Sequence, residues 1–346
     1  MFTLPIYFPL LRWKQGERGA LENLTPAVKD QISPIIEFPI NCDYEDKKVT
    51  GFCNAAVHDW GINRPFYLDL TTIDYDGAPI GNNHPALILL RTANQQNITI
   101  IPVLNLDMDL DVLSAIEQAY NEGCFENLAF RITENEDDTA NNDMSELINQ
   151  FEINTNNIDL IVDLRDISNG LVRPKVRILN SLVEQFGTDF RRTIVLSGAI
   201  PGDLSNYIGT DTNERISRYD WILWLQSQQI DRLHHVLFGD YTTISCEFRD
   251  VQFRGAPKIK YTLADEWFII KGHRARERDN QRQEQSLELI RSGLFRGGAN
   301  SFGESRIEQC ANGNWGPGSA ANWVTIDVNQ HITFVVSQVS SILAVP

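Results

Sequence analysis

Two stretches decide how this chain is read: Ile98-Thr99-Ile100-Ile101-Pro102-Val103-Leu104 and Ile158-Asp159-Leu160-Ile161-Val162-Asp163. Both are short and almost continuously apolar. That pattern suits a parallel strand buried on two faces better than a half-exposed antiparallel one, which would alternate polar and apolar residues. Similar runs recur at 4–11, 32–40, 65–70, 128–132, 193–196 and 236–238. Between them lie stretches with apolar residues at helical spacing: 17–31, 85–95, 110–120, 144–151, 174–186 and 217–226. The stretch 110–120 puts Leu113, Ile116 and Ala119 on one side and stops at Asn121-Glu122-Gly123.

Strands that alternate with helices need crossover connections, and about eight such repeats fit a closed (β/α)8 barrel of the triosephosphate isomerase type. An open doubly wound sheet is the competing fold. It is disfavoured because no glycine-rich phosphate loop follows the first strand. We therefore expect one barrel domain over 1–346. Segment 247–280 departs from the repeat: Lys258-Ile259-Lys260-Tyr261 and Trp267-Phe268-Ile269-Ile270 read as a β-hairpin inserted after strand eight. This insertion carries the basic run Lys271-Gly272-His273-Arg274-Ala275-Arg276-Glu277-Arg278 to the barrel rim. A helix over 281–292, a Gly/Asn-rich passage over 297–322 and a last helix through 332–342 complete the chain.

The 346 residues, 42% of them hydrophobic, suffice for a large core. No run approaches the roughly 18–20 apolar residues that span a bilayer, so no membrane association is expected. The start lacks a basic segment ahead of an apolar one and reads as a strand rather than a signal. Five scattered cysteines without metal-ligand spacing suggest free thiols in a cytoplasmic protein. The formal net charge of -16 disfavours generic binding to nucleic-acid backbones, which needs clustered cations. It suits a basic protein partner.

Barrel sites form where strands end and the following loops begin. The strand ends here supply Arg12, Lys14 and Glu17, then Glu37, Asp69 with Asp74, Asn105 and Asp107, Arg131, Asp163 with Arg165 and Asp166, Ser197, and Asp240 with Tyr241. Glu37, Asp69 and Asp163 share closely similar apolar contexts, and with Asp240 they are the candidate acid–base carboxylates. Lys14, Arg131 and Arg274 are the candidate anion clamps. Charges buried among apolar strands must pair or face water, so the same set could equally form a structural ring that closes the barrel top. Other motifs are weaker. Ser197-Gly198-Ala199-Ile200-Pro201 is not a nucleophile elbow. His234-His235 would face opposite sides of a strand. Asp107-Met108-Asp109-Leu110-Asp111 lacks the glycine and terminal glutamate of a calcium loop and suits a helix N-terminus. No motif indicates a metal site, although Glu37, Asp69 and Asp163 could alternatively cradle a divalent ion, and the identity of any cofactor stays open at this point.

The opening Tyr7-Phe8-Pro9-Leu10-Leu11-Arg12-Trp13-Lys14-Gln15-Gly16-Glu17, with Ala20-Leu21 and Ile32-Ser33-Pro34-Ile35-Ile36-Glu37, resembles the phage-type beta protein family. Colinear matches follow at Tyr67-Leu68-Asp69, Ile161-Val162-Asp163-Leu164, Phe238-Gly239-Asp240-Tyr241 and Trp323 with Gln330-His331-Ile332. The resemblance marks Lys14, Glu17, Glu37, Asp69, Asp163, Asp240 and His331, and it implies a phage, mobile-element or phage-defence setting. It implies no settled reaction. Arg274 lies where the family pattern is not copied closely. Two functions follow as expectations. One is a hydrolase or transferase acting on a phosphorylated or nucleotide-like ligand at the C-terminal face, bound by Lys14, Glu17, Arg131, Arg274, Tyr241 and His331. The other is a non-catalytic acidic protein that inhibits a basic partner in phage–host conflict.

Overall fold

The computed structural model describes residues 5–37, 46–70, 83–136, 139–247, 255–274 and 280–343. Nine strands come first in chain order: β1 (Tyr7–Leu11), β2 (Ile35–Glu37), β3 (Phe66–Asp69), β4 (Ile100–Leu104), β5 (Leu128–Thr133), β6 (Ile158–Asp166), β7 (Arg192–Gly198), β8 (Thr212–Ser217) and β9 (Leu237–Asp240). All but β8 form a closed barrel in the order β1-β2-β3-β4-β5-β6-β7-β9. Every pairing is parallel, and closure is made by β9 against β1, with Tyr7 opposite Phe238 and Pro9 opposite Asp240. The chain is thus a (β/α)8 barrel, as the buried apolar runs anticipate.

The helices are α1 (Gln15–Glu22), α2 (Pro26–Lys29), α3 (Asp46–Asp59), α4 (Pro85–Gln95), α5 (Leu110–Asn121), α6 (Ala140–Gln150), α7 (Val172–Phe186), α8 (Tyr219–Ser227), α9 (Gln281–Arg291), α10 (Phe302–Ala311) and α11 (Ala320–Leu343). The helix expected over 17–31 is two. Pro26 cannot sit inside a helix because it lacks the N–H and clashes with the preceding turn, so Thr25 caps a new start. Helix α11 begins much earlier than the expected 332 and fills the helix position between β9 and β1. It lies close against α1, where a Cβ on Gly16 would meet Val324 Cβ at 2.6 Å and Asn329 Nδ2 reaches Ala20 O at 3.1 Å. No described helix is long and apolar enough to cross a membrane.

Alternation sorts the barrel side chains into two layers. Phe8, Leu10, Ile35, Tyr67, Ile101, Val103, Ala129, Ile161, Ile194, Leu196 and Leu237 fill the interior. Their neighbours Tyr7, Leu11, Ile36, Leu68, Leu104, Phe130, Val162 and Phe238 face the helices. Gly239 faces inward, where a Cβ would meet Phe8 O at 2.9 Å, so the strand contact with β1 requires glycine there.

The expected hairpin is present as β10 (Lys258–Thr262) and β11 (Glu266–Lys271). It recruits a third, unanticipated strand: β8 pairs with β11, giving a sheet ordered β10-β11-β8. Ile259, Tyr261, Phe268 and Ile270 cover α9, α10 and α11 from one face of this sheet. Trp267 and Ile269, on the other, join the core shared with the barrel helices. Residues 248–254, and Arg276 and Arg278 of the basic run, lie outside the described residues, as do Asp74, Cys42 and the 38–40 part of the second expected strand. Cys53, Cys124, Cys246 and Cys310 are free thiols.

Candidate active site at the barrel mouth

Inward alternation on five strands delivers five polar side chains to the C-terminal end of the barrel. Glu37 follows Ile35 on β2, Asp69 follows Tyr67 on β3, Arg131 follows Ala129 on β5, Asp163 follows Ile161 on β6, and Tyr241 follows Leu237 and Gly239 at the end of β9. Arg131 is their centre. Its Nη1 donates to Asp69 Oδ2 at 2.5 Å and Glu37 Oε1 at 3.1 Å. Its Nε and Nη2 donate to Asp163 Oδ2 at 3.1 and 2.7 Å, and Nη2 also donates to the Tyr241 hydroxyl at 2.9 Å. That hydroxyl donates in turn to Asp163 Oδ2 at 2.7 Å.

The electrostatics follow from this arrangement. Burial works against the Arg131 charge, but Tyr241, Asp163, Asp69 and Glu37 more than offset it and hold its pKa well above the ordinary arginine value. Burial, with Asp163 beside it, pushes the Tyr241 phenol well up, so it stays neutral and serves as a hydrogen-bond relay. One cation shared by three carboxylates would leave excess negative charge. Two further arginines supply the balance. Arg12 Nε lies 3.4 Å from Glu37 Oε2, and its Nη2 donates to Ser245 O and Cys246 O at 2.8 and 2.9 Å. Arg165 Nη1 lies 3.5 Å from Asp163 Oδ2 and 3.3 Å from the Tyr241 hydroxyl.

Solvent reaches one side of this network. The side chains of Asp69 and Asp163 are sealed, whereas Glu37 is 19% and Arg165 46% exposed. Asn105, next in the inward series after Ile101 and Val103, has a buried Oδ1 with no hydrogen-bond partner. The backbone is bent to make the site. β6 carries a register shift between Asp163 and Asp166, with Arg165 at φ 55° and its N–H donating to Asp163 Oδ1 at 2.9 Å. Trp13 (φ 55°) and Thr242 (φ 52°) are likewise left-handed, each adjoining a residue of the network. Non-glycine residues seldom adopt this conformation, and such positions concentrate at functional sites.

The other expected residues lie elsewhere. Asp240, one position before Tyr241, faces outward and is fully buried between barrel and helices. It accepts hydrogen bonds from the Tyr7 hydroxyl at 2.6 Å and the Thr242 N–H at 2.9 Å, and its Oδ2 lies 2.9 Å from His331 Nε2. Burial alone would raise its carboxyl pKa, but His331, Tyr7 and Arg218 pull it below the usual range. Burial lowers the His331 pKa, so the ring is neutral; Thr262, itself a hydrogen-bond acceptor for Gln330 Nε2, sits 2.9 Å from its Nδ1. The network therefore assigns the Nε2–H tautomer. Asp240 and His331 thus bind α11 to the barrel and do not reach the mouth.

Glu17 sits at the rim but turns back on its own loop, where its Oε2 accepts the N–H groups of Arg12 and Lys14 at 2.8 and 3.0 Å. Burial raises its carboxyl pKa against those hydrogen bonds. Lys14 is exposed at the start of α1. Arg274 is exposed beyond β11 and makes no hydrogen bond or ion pair among the described residues. Arg12 and Arg165, noted in sequence only as strand-end charges, are the partners that complete the mouth. A positive-φ bulge on Arg165 leaves no sequence signature.

Among the described residues one group has metal-ligand spacing, Glu22, His58 and Asp59, far from the mouth. It lies in an outer groove of about 500 Å³ between α1, α3, α10 and α11. The Asp59 oxygens there are already engaged by Arg18 Nε at 2.6 Å and His58 Nδ1 at 2.7 Å.

Comparison with known proteins finds similarity along most of the chain. The chain is 25% identical over 347 aligned positions to Protein beta of Enterobacteria phage P4, covering 94% of this chain and 91% of that protein. The crystal structure of triosephosphate isomerase from Bartonella henselae is similar over 70% of this chain and 95% of its own, at 9% identity and a TM-score of 0.36. The barrel assignment itself rests on the strand order. A family profile described as Beta protein matches residues 7–337. The chain belongs to the Beta protein family.

Proposed function

We propose that the barrel mouth binds a small phosphorylated or nucleotide-like molecule and acts on it as a hydrolase or transferase. The observation that carries this reading is the convergence of Glu37, Asp69, Arg131, Asp163 and Tyr241 from five strands on the end of the barrel where such folds build their sites. Arg165 and Arg12 offer guanidinium donors to the anion. Glu37, the most accessible of the three acids, is the acid–base group. Asp163 and Tyr241 hold Arg131 in place and act as positioning residues. The unpartnered Asn105 oxygen adds an acceptor for a hydroxyl or amino group of the ligand. The phage relative supports a setting in phage or mobile-element biology, and a part in phage–host conflict or phage defence belongs to the same proposal.

One observation favours a second reading. Arg131 already satisfies three carboxylates and a phenol, so the network could serve as a seal. The chain, with a formal charge of -16, would then act as a non-catalytic inhibitor of a basic protein.

Thermal unfolding with a panel of nucleotides, sugar phosphates and divalent ions separates the two. The enzyme reading expects at least one phosphorylated compound to raise the wild-type midpoint by about 5 °C at a hundredfold excess over its Kd. It also expects Glu37→Gln to keep that shift while losing turnover of the compound. If nothing on the panel stabilises the wild type, and Glu37→Gln alters only stability, the enzyme reading fails.

A further inference from the structure

In this acidic chain, one face of the inserted sheet carries three lysines that make no ion pair among the described residues. Lys258 on β10 is directly opposite Lys271 on β11, and Lys260 lies two residues along on the same face. This face also carries Trp267 and Ile269, so it is turned toward the barrel. Lys271 Nζ donates to Ile208 O at 2.7 Å, in the connection that follows β7. Lys260 Nζ donates to Thr243 O at 2.6 Å, in the connection that follows β9. The lysines therefore bridge the loops after the seventh and eighth barrel strands.

None of the three lysines makes an ion pair among the described residues. Lys258 Nζ, half-buried, has no hydrogen-bond partner at all there. Each ammonium has three donors, and Lys260 and Lys271 each use one in the bonds to Thr243 O and Ile208 O, so both keep hydrogens for a further acceptor. Burial, then Lys260, Lys271 and Arg282, lower the Lys258 pKa, with Asp203 opposing them. Burial also lowers that of Lys260 against the attraction of Asp327 and Glu17. Gathering like charges is unfavourable unless an anion offsets them.

We propose that Lys258, with Lys260 and Lys271 beside it, forms an anion subsite that takes the phosphate group of the ligand bound at the mouth. The loops after the last two strands are where (β/α)8 barrels commonly hold phosphate. The subsite rests on the proposed function for the identity of its ligand, but its affinity for phosphate is separately measurable. A phosphate dianion there would accept hydrogen bonds from three ammonium groups and remove their mutual repulsion.

Calorimetric titration of the whole chain with inorganic phosphate tests this. The wild type should bind one phosphate saturably. Lys258→Gln should weaken binding by about tenfold or more, and Lys258→Arg should retain it. Lys258 is only partly buried, so an unchanged urea midpoint in Lys258→Gln would show that lost binding is not lost folding. The subsite is overturned if the wild type shows no saturable phosphate binding, or if Lys258→Gln binds as tightly as the wild type. Parallel titration of Arg165→Ala separates the two proposals. Phosphate binding that depends on Arg165 and not Lys258 sinks the subsite and leaves the mouth reading standing. Dependence on Lys258, with no phosphorylated compound sensitive to Arg165→Ala, keeps the subsite and sinks the mouth reading.

Discussion

Strand β6 carries two inward-facing aspartates, one near each end of the barrel, and their surroundings differ. Asp159, at the N-terminal end, is gripped bidentately by Arg191 at 2.8 and 2.5 Å, accepts the Tyr67 hydroxyl at 2.5 Å and lies 3.8 Å from Arg192. Here two arginines serve one carboxylate. Asp163, at the C-terminal end, shares a single arginine with Asp69 and Glu37, and the rest of the balance comes from Arg12 and the half-exposed Arg165. The first arrangement closes the barrel floor, where polar groups serve stability. Both keep an edge in contact with solvent, through Arg191 and Arg192 at the floor and through Glu37 and the more exposed Arg165 at the mouth. Both ends of one strand obey the rule that buried charge must be paired, but one does it with two arginines on one acid and the other with one arginine shared by three acids.

Breaking the mouth at its centre should give the largest effect. Arg131→Met leaves three acids clustered without their shared cation and is expected to lower unfolding stability by about 3–5 kcal/mol in urea denaturation. A loss under about 1 kcal/mol would mean that Arg131 does not organise this end. Asp159→Asn should cost about 3 kcal/mol, at the lower edge of that range, because Arg191 and Arg192 keep some solvent contact. Its ligand response should match the wild type. A changed ligand response would erase the distinction between floor and mouth.

A third acid sharpens the contrast because no guanidinium hydrogen-bonds to it. Asp220 is fully buried, one oxygen accepts the Trp221 N–H at 2.8 Å, and the other has no hydrogen-bond partner among the described residues. Burial, with Asp240 nearby, raises its pKa to about 7 from 3.8. Below pH 3.8 the group is protonated in both states. As pH rises from there to about 7, only the unfolded chain gives up the proton, so stability falls across that window and then levels. Asp220→Asn should flatten the fall, as read from urea midpoints at a series of pH values. An unchanged profile would assign the pH dependence to other groups. Arg165→Ala should have the smallest effect on stability, within about 1 kcal/mol because the guanidinium is 46% exposed and Asp163 keeps Arg131, while weakening any phosphorylated ligand.

The barrel was legible in the sequence because strands buried on both faces must be apolar, and few other folds need eight such runs. The mouth acids Glu37, Asp69 and Asp163, and Arg131, were legible for the same reason: a charge inside such a run must face the water-filled end or a partner. Asp240 looked equivalent and is not. Side chains alternate along a strand, so the inward position at the end of β9 belongs to Tyr241, and a shift of one residue reverses the face. Strand β8, Thr-Asn-Glu-Arg-Ile-Ser, is largely exposed and has no apolar run; it exists because β11 supplies hydrogen bonds to it. Helix α3 carries Val49, Phe52, Cys53 and Ala56 at helical spacing, yet is absent from the helical stretches expected above.

Whether the mouth is a site is tested most directly by hydrogen–deuterium exchange of the wild-type chain with and without the phosphorylated compound that most raises its unfolding midpoint. Added protection is expected where the strands end at the mouth, in 12–17, 131–136 and 163–168, with none at 189–193 on the barrel floor. Protection confined to the outer helices, or no change at those strand ends for any compound, would contradict it.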